Sequence, residues 1–349
     1  MFYHRPTHRH HATETEILRI LTAPPLRPIS MSKKWQAADI PSLANKRVLI
    51  TGANSGIGYH TALKLARKGA HVLLACRDRQ RGEAALALLH ADSPGIHAEL
   101  IQLDLASLDS IRNVAASELA HRRPLHLLIN NAGVFAPPTR RETADGFELQ
   151  FGTNVLGHFA LTALLLPALQ QAASESSAGP FTRPRVVTIA SIAHKRARIN
   201  FDDLHSTKSY TPMRAYEQSK LANLLFAFEL DRRLRASNSS VVSLAAHPGV
   251  ANTNLFKSGA YSPIENTLRT LTGHVIGIFL NSDSEGALPT LYAATASDAV
   301  NGGYYGPQGF KEMRGHEVGP AILAPQALDT AAARRLWQIS EEHTGLKLL

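Results

Sequence analysis

Residues 47–58 read RVLITGANSGIG, and this stretch decides the fold. The apolar, β-branched run from Arg47 to Thr51 predicts a buried strand, and the pattern from Ile57 to Arg67 predicts a helix that Gly69 ends. The glycines between them allow a sharp turn and close packing of helix on strand. They also let a pyrophosphate approach the free N–H groups and positive dipole end of the helix. The order strand, glycine cluster, helix therefore favours nucleotide binding over an ordinary turn.

Downstream of this stretch, short apolar runs alternate with amphipathic helical patterns. Strands are predicted at 71–76, 97–103, 125–130, 185–190 and 241–246, and helices at 79–90, 108–121, 146–173 and 214–235. The short gaps between them demand parallel strands joined by right-handed crossovers. The predicted fold is an α/β doubly wound parallel sheet of the Rossmann type, forming a single domain over residues 35–349.

The composition excludes several classes of protein. The 349 residues are 44% hydrophobic and 19% charged, which provides a core and excludes disorder of the whole chain. The single cysteine, Cys76, can form neither an intrachain disulfide nor a zinc-binding cysteine cluster, so we expect no metal site and a cytoplasmic location. No transmembrane segment is predicted, because the best apolar stretch is eleven residues and a spanning helix needs about 20.

The net charge of +9 is unevenly distributed. Residues 1–47 contain eight basic and three acidic residues, so the remainder is only mildly basic. A nucleic-acid partner is therefore not expected. Residues 1–34, rich in His, Arg and Pro, are predicted to be a disordered extension; alternatively, Met31 is the native start and residues 1–30 precede it.

The end of the second predicted strand bears on the choice between NAD and NADP. Sites that prefer NAD usually place an acidic residue about 20 positions after the glycines, where it binds the ribose 2′-hydroxyl. Here Arg77 lies 19 residues after Gly58, and its guanidinium can pair with the 2′-phosphate of NADP. We therefore expect NADP(H) in preference to NAD(H). The alternative is that Asp78 binds the ribose while Arg77 faces solvent.

A second motif lies in the predicted helix at 214–235. Tyr216 and Lys220 are four residues apart, so they share one helix face and the ammonium can lie near the phenol. Taken alone, this spacing also fits an exposed surface pair. Ser191, however, follows the predicted strand at 185–190, whose carboxyl end would deliver it to the same ligand crevice.

Together these motifs resemble those of the short-chain dehydrogenases/reductases. The features that carry the resemblance occur in order: Thr-Gly-x3-Gly-x-Gly at 51–58, Asn130-Asn131-Ala132-Gly133, Asn154, Ser191, Tyr216, Lys220 and Pro248-Gly249. The stretch Ala75-Cys76-Arg77-Asp78 and the segments 332–337 and 344–345 resemble the retinol-dehydrogenase-like branch.

The resemblance implies a role for each candidate catalytic residue. Tyr216 is the expected general acid and base, and Ser191 is expected to hydrogen-bond the substrate oxygen. Lys220 is expected to tune the acidity of Tyr216 and to bind the nicotinamide ribose. Asn154 is expected to hold a water molecule that links Lys220 to solvent.

The resemblance also implies which residues bind the cofactor. Beside Tyr216 and Lys220 they are Gly52, Asn54, Ser55, Gly56, Ile57, Gly58, Arg77, Asp104, Leu105, Asn131, Ala132, Gly133, Pro248, Gly249 and Thr253. Asp104 is expected to accept a hydrogen bond from the adenine amine, although it could instead cap a helix, with Ser107 as the rival cap. Asn131 could instead lock the central sheet.

Residues 251–286 break the alternation with an apolar insert. We expect a substrate lid over the carboxyl ends of the strands, and its apolarity implies an apolar carbonyl compound or alcohol as substrate. A helix that faces a partner or touches a membrane surface is the alternative for this segment. The sequence leaves a homodimer open.

These features predict an NADP(H)-dependent oxidoreductase that interconverts an apolar carbonyl compound and its alcohol. An NADP-sensing regulatory or scaffold protein is the alternative from another class, but it would need the glycines without Ser191, Tyr216 and Lys220. Reduction of a C=C bond in a large planar substrate is the alternative within the same class.

Overall fold

One mixed sheet forms the centre of the computed structural model, which describes residues 34–175, 183–250 and 281–349. Its strands are β1 (Arg47–Thr51), β2 (His71–Cys76), β3 (His97–Gln102), β4 (Leu127–Asn130), β5 (Arg185–Ile189), β6 (Val242–Ala246), β7 (Tyr304–Pro307) and β8 (Val318–Pro320). Their order across the sheet is β3-β2-β1-β4-β5-β6-β7-β8. All neighbouring pairs are parallel except β7 and β8. The reversal of order between β1 and β4 creates a crevice at their carboxyl ends.

Helices cover both faces of this sheet. They are α1 (Gly56–Ala66), α2 (Arg79–Asp92), α3 (Leu108–Ala120), α4 (Leu149–Ser174), α5 (Pro212–Ala236), α6 (Leu288–Thr295) and α7 (Thr330–Thr344). Val48 and Ile50 of β1 pack in one core with α1, α2 and α6. Leu49 points to the opposite face and packs in a second core with α3, α4, α5 and α7. Because both faces are covered, β1 is a continuous apolar run and not an alternating one.

The structure confirms the predicted doubly wound α/β fold, with the observed ends a few residues from the predicted ones. The expectation of a wholly parallel sheet is corrected at β8, which pairs antiparallel with β7. The short strands β7 and β8 were not predicted, because four and three residues are too few to establish a period of two.

Two predicted segments fall largely outside the described residues. The insert predicted as a lid, at 251–286, is described only from Asn281 onward, where Asp283–Gly286 forms one helical turn. The predicted extension at 1–34 is described only at its last residue. Immediately after it, Trp35 is buried edge-on against Tyr292 of α6, with ring centroids 5.4 Å apart. Both the lid and the extension stay predictions.

Helix α4 is long and apolar enough to cross a membrane by length and composition alone, unlike the shorter apolar stretch noted in the sequence. It has 26 residues and a mean hydropathy of 1.4, but 83% of its most apolar window is buried inside the protein. Its side chains pack against β4, α3 and α5. A core helix has this composition for the same reason that a spanning helix does, which is that most of its surface avoids water.

The hydroxyl of Thr51, the last residue of β1, joins this strand to the loop after β4. It accepts hydrogen bonds from the backbone N–H groups of Asn131 and Ala132, both at 2.9 Å. It also lies 2.9 Å from Nε2 of His158. Since His158 Nδ1 lies 3.0 Å from the carbonyl oxygen of Asn154, the imidazole proton belongs on Nδ1, and Thr51 donates to Nε2. The hydroxyl thus uses its full hydrogen-bonding capacity.

We expect Thr51→Val to lower the free energy of unfolding by about 2–4 kcal/mol, because valine keeps the shape but leaves two backbone donors without their acceptor. Thr61→Val is the matched control. Thr61 is also buried, but its hydroxyl only adds a hydrogen bond to the carbonyl of Ile57 within α1. The free energy of unfolding of this control should differ from that of the wild type by no more than about 1 kcal/mol. Urea denaturation of both variants measures the difference, and equal shifts would contradict this account of Thr51.

Candidate functional site

The glycine-rich loop after β1 forms a narrow cradle at the start of α1. Gly52 has a left-handed backbone with φ of +67°. A Cβ atom at Gly58 would lie 2.4 Å from the carbonyl oxygen of Gly52 and 2.6 Å from Nδ2 of Asn131, so only glycine fits there. Ser55 precedes α1 but its side chain makes no capping hydrogen bond. The first N–H groups of α1 therefore have no side-chain cap, and such groups favour an anionic ligand.

Asn131, predicted to bind the cofactor or to lock the sheet, joins the loop after β4 to β1, and its cofactor contact stays a prediction. Its Nδ2 donates to the carbonyl oxygen of Thr51 at 2.7 Å. Its backbone is held by the Thr51 hydroxyl, as described above. Asn131 and Ala132 thus form the wall of the cradle opposite α1, and a Cβ atom at Gly52 would lie 3.0 Å from Cα of Ala132.

Arg77 and Asp78 directly follow β2, and both are exposed. Oδ1 of Asp78 accepts a hydrogen bond from the N–H of Arg81 at 3.0 Å and so caps α2. Arg77 forms no ion pair with any carboxylate in the described part of the chain, so its guanidinium is available to an anion. Asp78, the alternative ligand for the ribose, thus already accepts a hydrogen bond as the N-cap of α2.

Asp104 and Leu105 lie shortly after the carboxyl end of β3, the strand next to β2. The structure answers the question of which residue caps α3: the Ser107 hydroxyl accepts from the N–H of Ser110 at 3.2 Å. Oδ1 of Asp104 accepts from the N–H of Ala106 at 2.9 Å, which fixes this turn. Asp104 is half-buried and Leu105 is buried. The predicted adenine contact of Asp104 stays a prediction.

Asn154 lies within a π-helical turn of α4, Gly152–Leu156, and is fully buried. Its Oδ1 accepts from the N–H of Val134 at 2.7 Å. Its Nδ2 donates to the carbonyl of Val134 at 3.1 Å and to the Ser219 hydroxyl at 3.0 Å. The side chain therefore ties the loop after Gly133 to α5, next to Lys220. The predicted water-holding role stays a prediction.

Ser191 follows β5 and begins a short 3₁₀ turn, Ile192–Arg196, where its Oγ accepts from the N–H of Ala193 at 3.2 Å. Tyr216 lies near the start of α5 and is buried. Burial raises the pKa of Tyr216 to about 12, and a hydrogen bond with the Ser191 side chain partly opposes this rise. The ring of Phe135 packs edge-on against Tyr216, with centroids 4.7 Å apart. The two predicted residues thus meet although 25 positions separate them.

Lys220 lies one turn further along α5 and is buried. Its Nζ donates to the carbonyl oxygen of Ile189 at 3.0 Å and lies 5.7 Å from the ring centroid of Tyr216. A Cβ atom at Gly133 would lie 3.6 Å from this Nζ, so the loop after β4 closes over the ammonium. Burial lowers the pKa of Lys220 to about 8.

Pro248 and Gly249 follow β6 and are held by segments far along the chain. Nδ2 of Asn281 donates to the carbonyl oxygen of Pro248 at 3.1 Å. Gly249 has a φ of +73°, and a Cβ atom there would lie 2.4 Å from the carbonyl oxygen of Met313. Thr253, the remaining predicted cofactor residue, lies outside the described residues. No cluster of metal-ligating side chains occurs in the described ranges.

The predicted site residues that the structure describes lie in the segments that follow β1, β2, β3, β4, β5 and β6, or in α1, α4 and α5. Phe135 was not predicted, although its position two residues after Gly133, in a loop at the carboxyl end of β4, was a usable signal. Asn223 was not predicted either. Asn223 donates to the same Ile189 carbonyl as Lys220, at 3.1 Å. No pattern in the local sequence predicts that two side chains share this acceptor.

We expect Lys220→Met to raise the stability of the protein at neutral pH. The folded-state pKa of Lys220 is about 8, whereas the unfolded value is 10.5. The native state is therefore penalised fully below about pH 8, by about 3 kcal/mol, and the penalty disappears as the pH rises towards 10.5. Methionine keeps the volume, and the Ile189 carbonyl retains its hydrogen bond from Asn223.

Melting temperatures between pH 6 and pH 10.5 measure this effect, with Lys208→Met as the control. Lys208 is exposed, so its variant should follow the wild-type curve at every pH. A Lys220→Met variant that is no more stable than wild type at pH 7, or whose advantage grows with pH, would contradict the assigned burial penalty.

Comparison with known proteins agrees with this geometry. A family model described as short chain dehydrogenase matches residues 46–260. Retinol dehydrogenase 14 of Mus musculus is 41% identical over 328 residues, which cover 90% of this chain and 91% of the relative. The polyprenol dehydrogenase of Mus musculus is 39% identical over 308 residues, covering 88% and 86%.

Among solved structures, an uncharacterized protein from Mycobacterium paratuberculosis is similar in both sequence and fold. The identity is 39% and the TM-score is 0.70, with 91% of this chain and 100% of that chain covered. The family model spans more than half of the chain, and the relatives align along nearly all of it. The chain therefore belongs to the short-chain dehydrogenase/reductase family of oxidoreductases, in its retinol-dehydrogenase-like branch.

Proposed function

We propose that the protein is an NADP(H)-dependent oxidoreductase that interconverts an apolar carbonyl compound and its alcohol in the cytoplasm, with Tyr216 as the general acid and base. The observation that carries this proposal is the meeting of Ser191, Tyr216 and Lys220 beside the glycine cradle. A hydroxyl, a phenol and a buried ammonium, drawn from β5 and α5, converge where the cofactor loop opens.

The cradle fits a dinucleotide. The uncapped N–H groups of α1 suit the pyrophosphate, and Gly52 and Gly58 let the loop pack closely against Asn131 and Ala132 at the start of this helix. Arg77 would pair with the 2′-phosphate of NADP, since it is exposed at the end of β2 and the neighbouring Asp78 caps α2. When bound, the nicotinamide supplies or accepts a hydride at the carbon that carries the reacting oxygen.

The chain itself handles the proton. Ser191 donates a hydrogen bond to the substrate oxygen, and Tyr216 gives its hydroxyl proton to the alkoxide that develops during reduction. The buried phenol keeps its proton in the free protein, since its pKa is about 12. Below about pH 8 the Lys220 ammonium is charged, and its proximity lowers the free-energy cost of forming the phenolate.

The apolar substrate class rests on two observations. The half-buried ring of Phe135 packs against Tyr216 and gives the reacting end of the site an aromatic wall. The similar proteins named above are dehydrogenases of retinol and polyprenol by name, both of which are long apolar alcohols. A substrate of this chemistry would contribute binding energy mainly through apolar area removed from water.

The test of this function is NADPH consumption with a panel of apolar aldehydes and ketones, comparing wild type with Tyr216→Phe. The variant keeps the ring and loses the proton, so turnover should fall by about 10²–10⁴-fold while NADPH binding persists. Tyr59→Phe is the matched control, because Tyr59 donates its hydroxyl only to Asp92 at an exposed position. Tight NADPH binding without turnover of any substrate would overturn the proposal, and so would full activity of Tyr216→Phe.

Arg77→Glu tests the cofactor preference separately. We expect the dissociation constant for NADPH to rise about 10–100-fold, the factor that one charge-assisted hydrogen bond supplies, while that for NADH stays within about twofold. Arg79→Glu is the control, since Arg79 is exposed nearby but pairs with Glu83 on α2. Calorimetric titration of both nucleotides measures the constants. An equal loss for NADPH and NADH would contradict the role of Arg77.

A further inference from the structure

The loop after β4 makes a sharp turn where it passes Tyr216. Ala136 has a φ of +41°, a left-handed backbone that alanine adopts only where surrounding contacts hold it. The residue before it is Phe135, whose ring packs edge-on against that of Tyr216, with centroids 4.7 Å apart. The place of this ring beside the phenol therefore depends on the contacts that hold the backbone of Ala136.

The side-chain amide of Gln150 makes such a contact. Its Oε1 accepts a hydrogen bond from the N–H of Ala136 at 2.7 Å, and its Nε2 donates to the carbonyl oxygen of Pro212 at 3.0 Å. Pro212 is the first residue of α5 and lies one helical turn before Tyr216. Gln150 therefore joins the backbone next to Phe135 to the helical turn that carries Tyr216.

Tyr210 supports the same turn of the loop. Its hydroxyl donates to the carbonyl oxygen of Pro137 at 2.8 Å and accepts from Nε2 of Gln150 at 3.3 Å. Ala136 and Pro137 are thus held by two side chains that also contact each other.

The position of Gln150 is itself fixed by the N-cap of α4. Oε1 of Glu148 accepts from the N–H of Gln150 at 3.0 Å, and Oε2 accepts from the N–H of Phe151 at 2.7 Å. Gln150 is 0% exposed, so water does not compete for the hydrogen bonds of its side chain. If these bonds are lost, bonds to solvent at the same atoms do not replace them.

The backbone on the other side of Phe135 is also held. Val134 donates its N–H to Oδ1 of Asn154 and accepts from Nδ2 of Asn154 through its carbonyl oxygen. The chain is therefore fixed both before and after Phe135. The ring has a defined place, and it bounds the space beside the Tyr216 phenol.

We propose that Gln150 is a positioning residue that holds the Phe135 ring beside Tyr216, and that this ring selects carbonyl compounds without a branch next to the carbonyl carbon. This inference rests on the proposed function and narrows its substrate class. A carbonyl oxygen within hydrogen-bonding distance of the Tyr216 hydroxyl brings the adjoining carbon atoms close to the ring. A branch on the first of these carbons then meets the ring, whereas a straight chain passes it.

Octanal and 2-ethylhexanal test this selection, because these aldehydes are isomers and differ in shape alone. The ratio of kcat/KM for octanal to that for 2-ethylhexanal should be well above one in the wild type. Phe135→Ala should lower this ratio about tenfold, since it removes the ring that the branch meets. The dissociation constant for NADPH should not change. An unchanged ratio in Phe135→Ala overturns the proposal.

Gln150→Leu tests the positioning role. The variant keeps the Phe135 ring but leaves the N–H of Ala136 without its acceptor, so the ratio should fall in the same direction, by about three- to tenfold. Since Gln150 acts through the ring, the double variant Phe135→Ala/Gln150→Leu should fall no further than Phe135→Ala alone. Additive losses would overturn the role assigned to Gln150.

Gln218→Leu is the matched control on α5. Gln218 is 6% exposed, and its amide accepts from the N–H of Asn200 at 2.8 Å and donates to the carbonyl oxygen of Leu204 at 3.0 Å. Both glutamine variants should melt a few degrees lower than the wild type, because each loses two buried hydrogen bonds. Only Gln150→Leu should change the octanal ratio. An equal fall in both variants would reflect general loosening and overturn the proposal.

Two measurements on the full chain do not depend on activity. In crystal structures, the Phe135 ring should leave Tyr216 in Gln150→Leu and stay edge-on against it in Gln218→Leu. A ring that keeps its place in Gln150→Leu overturns the positioning role. In the wild type, amide hydrogen exchange at Ala136 should be slow although this residue lies outside helix and strand, and exchange at the rate of an unprotected amide would also overturn it.

Turnover of octanal by the wild type, and its loss in Tyr216→Phe, is measured first. A failure of the proposed function is recognised at that step, and the two structural measurements then decide on Gln150 by themselves. With an active wild type, an unchanged ratio in Phe135→Ala or Gln150→Leu overturns this inference and leaves the proposed function intact.

Discussion

The arrangement of the site depends on one hydroxyl group, that of Thr51. It accepts from two backbone donors in the loop after β4 and donates to His158 of α4, so it joins the two halves of the sheet at the point where the strand order reverses. The glycine cradle lies on one side of this junction. On the other side, His158 leads through the carbonyl of Asn154 to the loop over Lys220. A shift of this junction would move the cofactor loop relative to Tyr216.

The site maintains its chemistry at a cost in stability. Burial moves the pKa of Tyr216 upward and that of Lys220 downward, so each group is pushed towards its neutral form. A well-packed apolar core would be more stable at the same positions. Tyr216 and Lys220 are both buried, and charges at buried positions are screened less than charges at the surface. Oη of Tyr304 and Nε2 of His247 are also buried, without a hydrogen-bond partner in the described part of the chain.

The segment between β7 and α7 contacts the loops that follow β5 and β6, which carry Ser191 and Gly249. The carbonyl of Met313 accepts from the N–H of Val250, next to Gly249. Glu312 reaches Lys195 in the turn after Ser191, and the N–H of Ala324 contacts Nε2 of His194 in the same turn, at 3.3 Å. Residues near the end of the chain thus set the relative positions of two loops that lie some 57 residues apart in sequence.

The alternation of apolar runs and amphipathic helices by itself determined the doubly wound fold, because parallel strands with short connections admit few topologies. The four-residue spacing of Tyr216 and Lys220 likewise predicted that they share one face of a helix. The glycines at 52–58 predicted the turn between β1 and α1. Both predictions concern local geometry, which neighbouring residues determine. Only the tertiary structure decided that Asp78 caps α2, that Asn154 ties two loops together, and that β8 runs antiparallel. It alone also brought Tyr304, His247 and Glu312 into one buried cluster. Contacts between residues that are far apart in sequence produce no periodic pattern or fixed spacing. Such contacts, and the burial that results from them, can therefore be identified only in the folded chain.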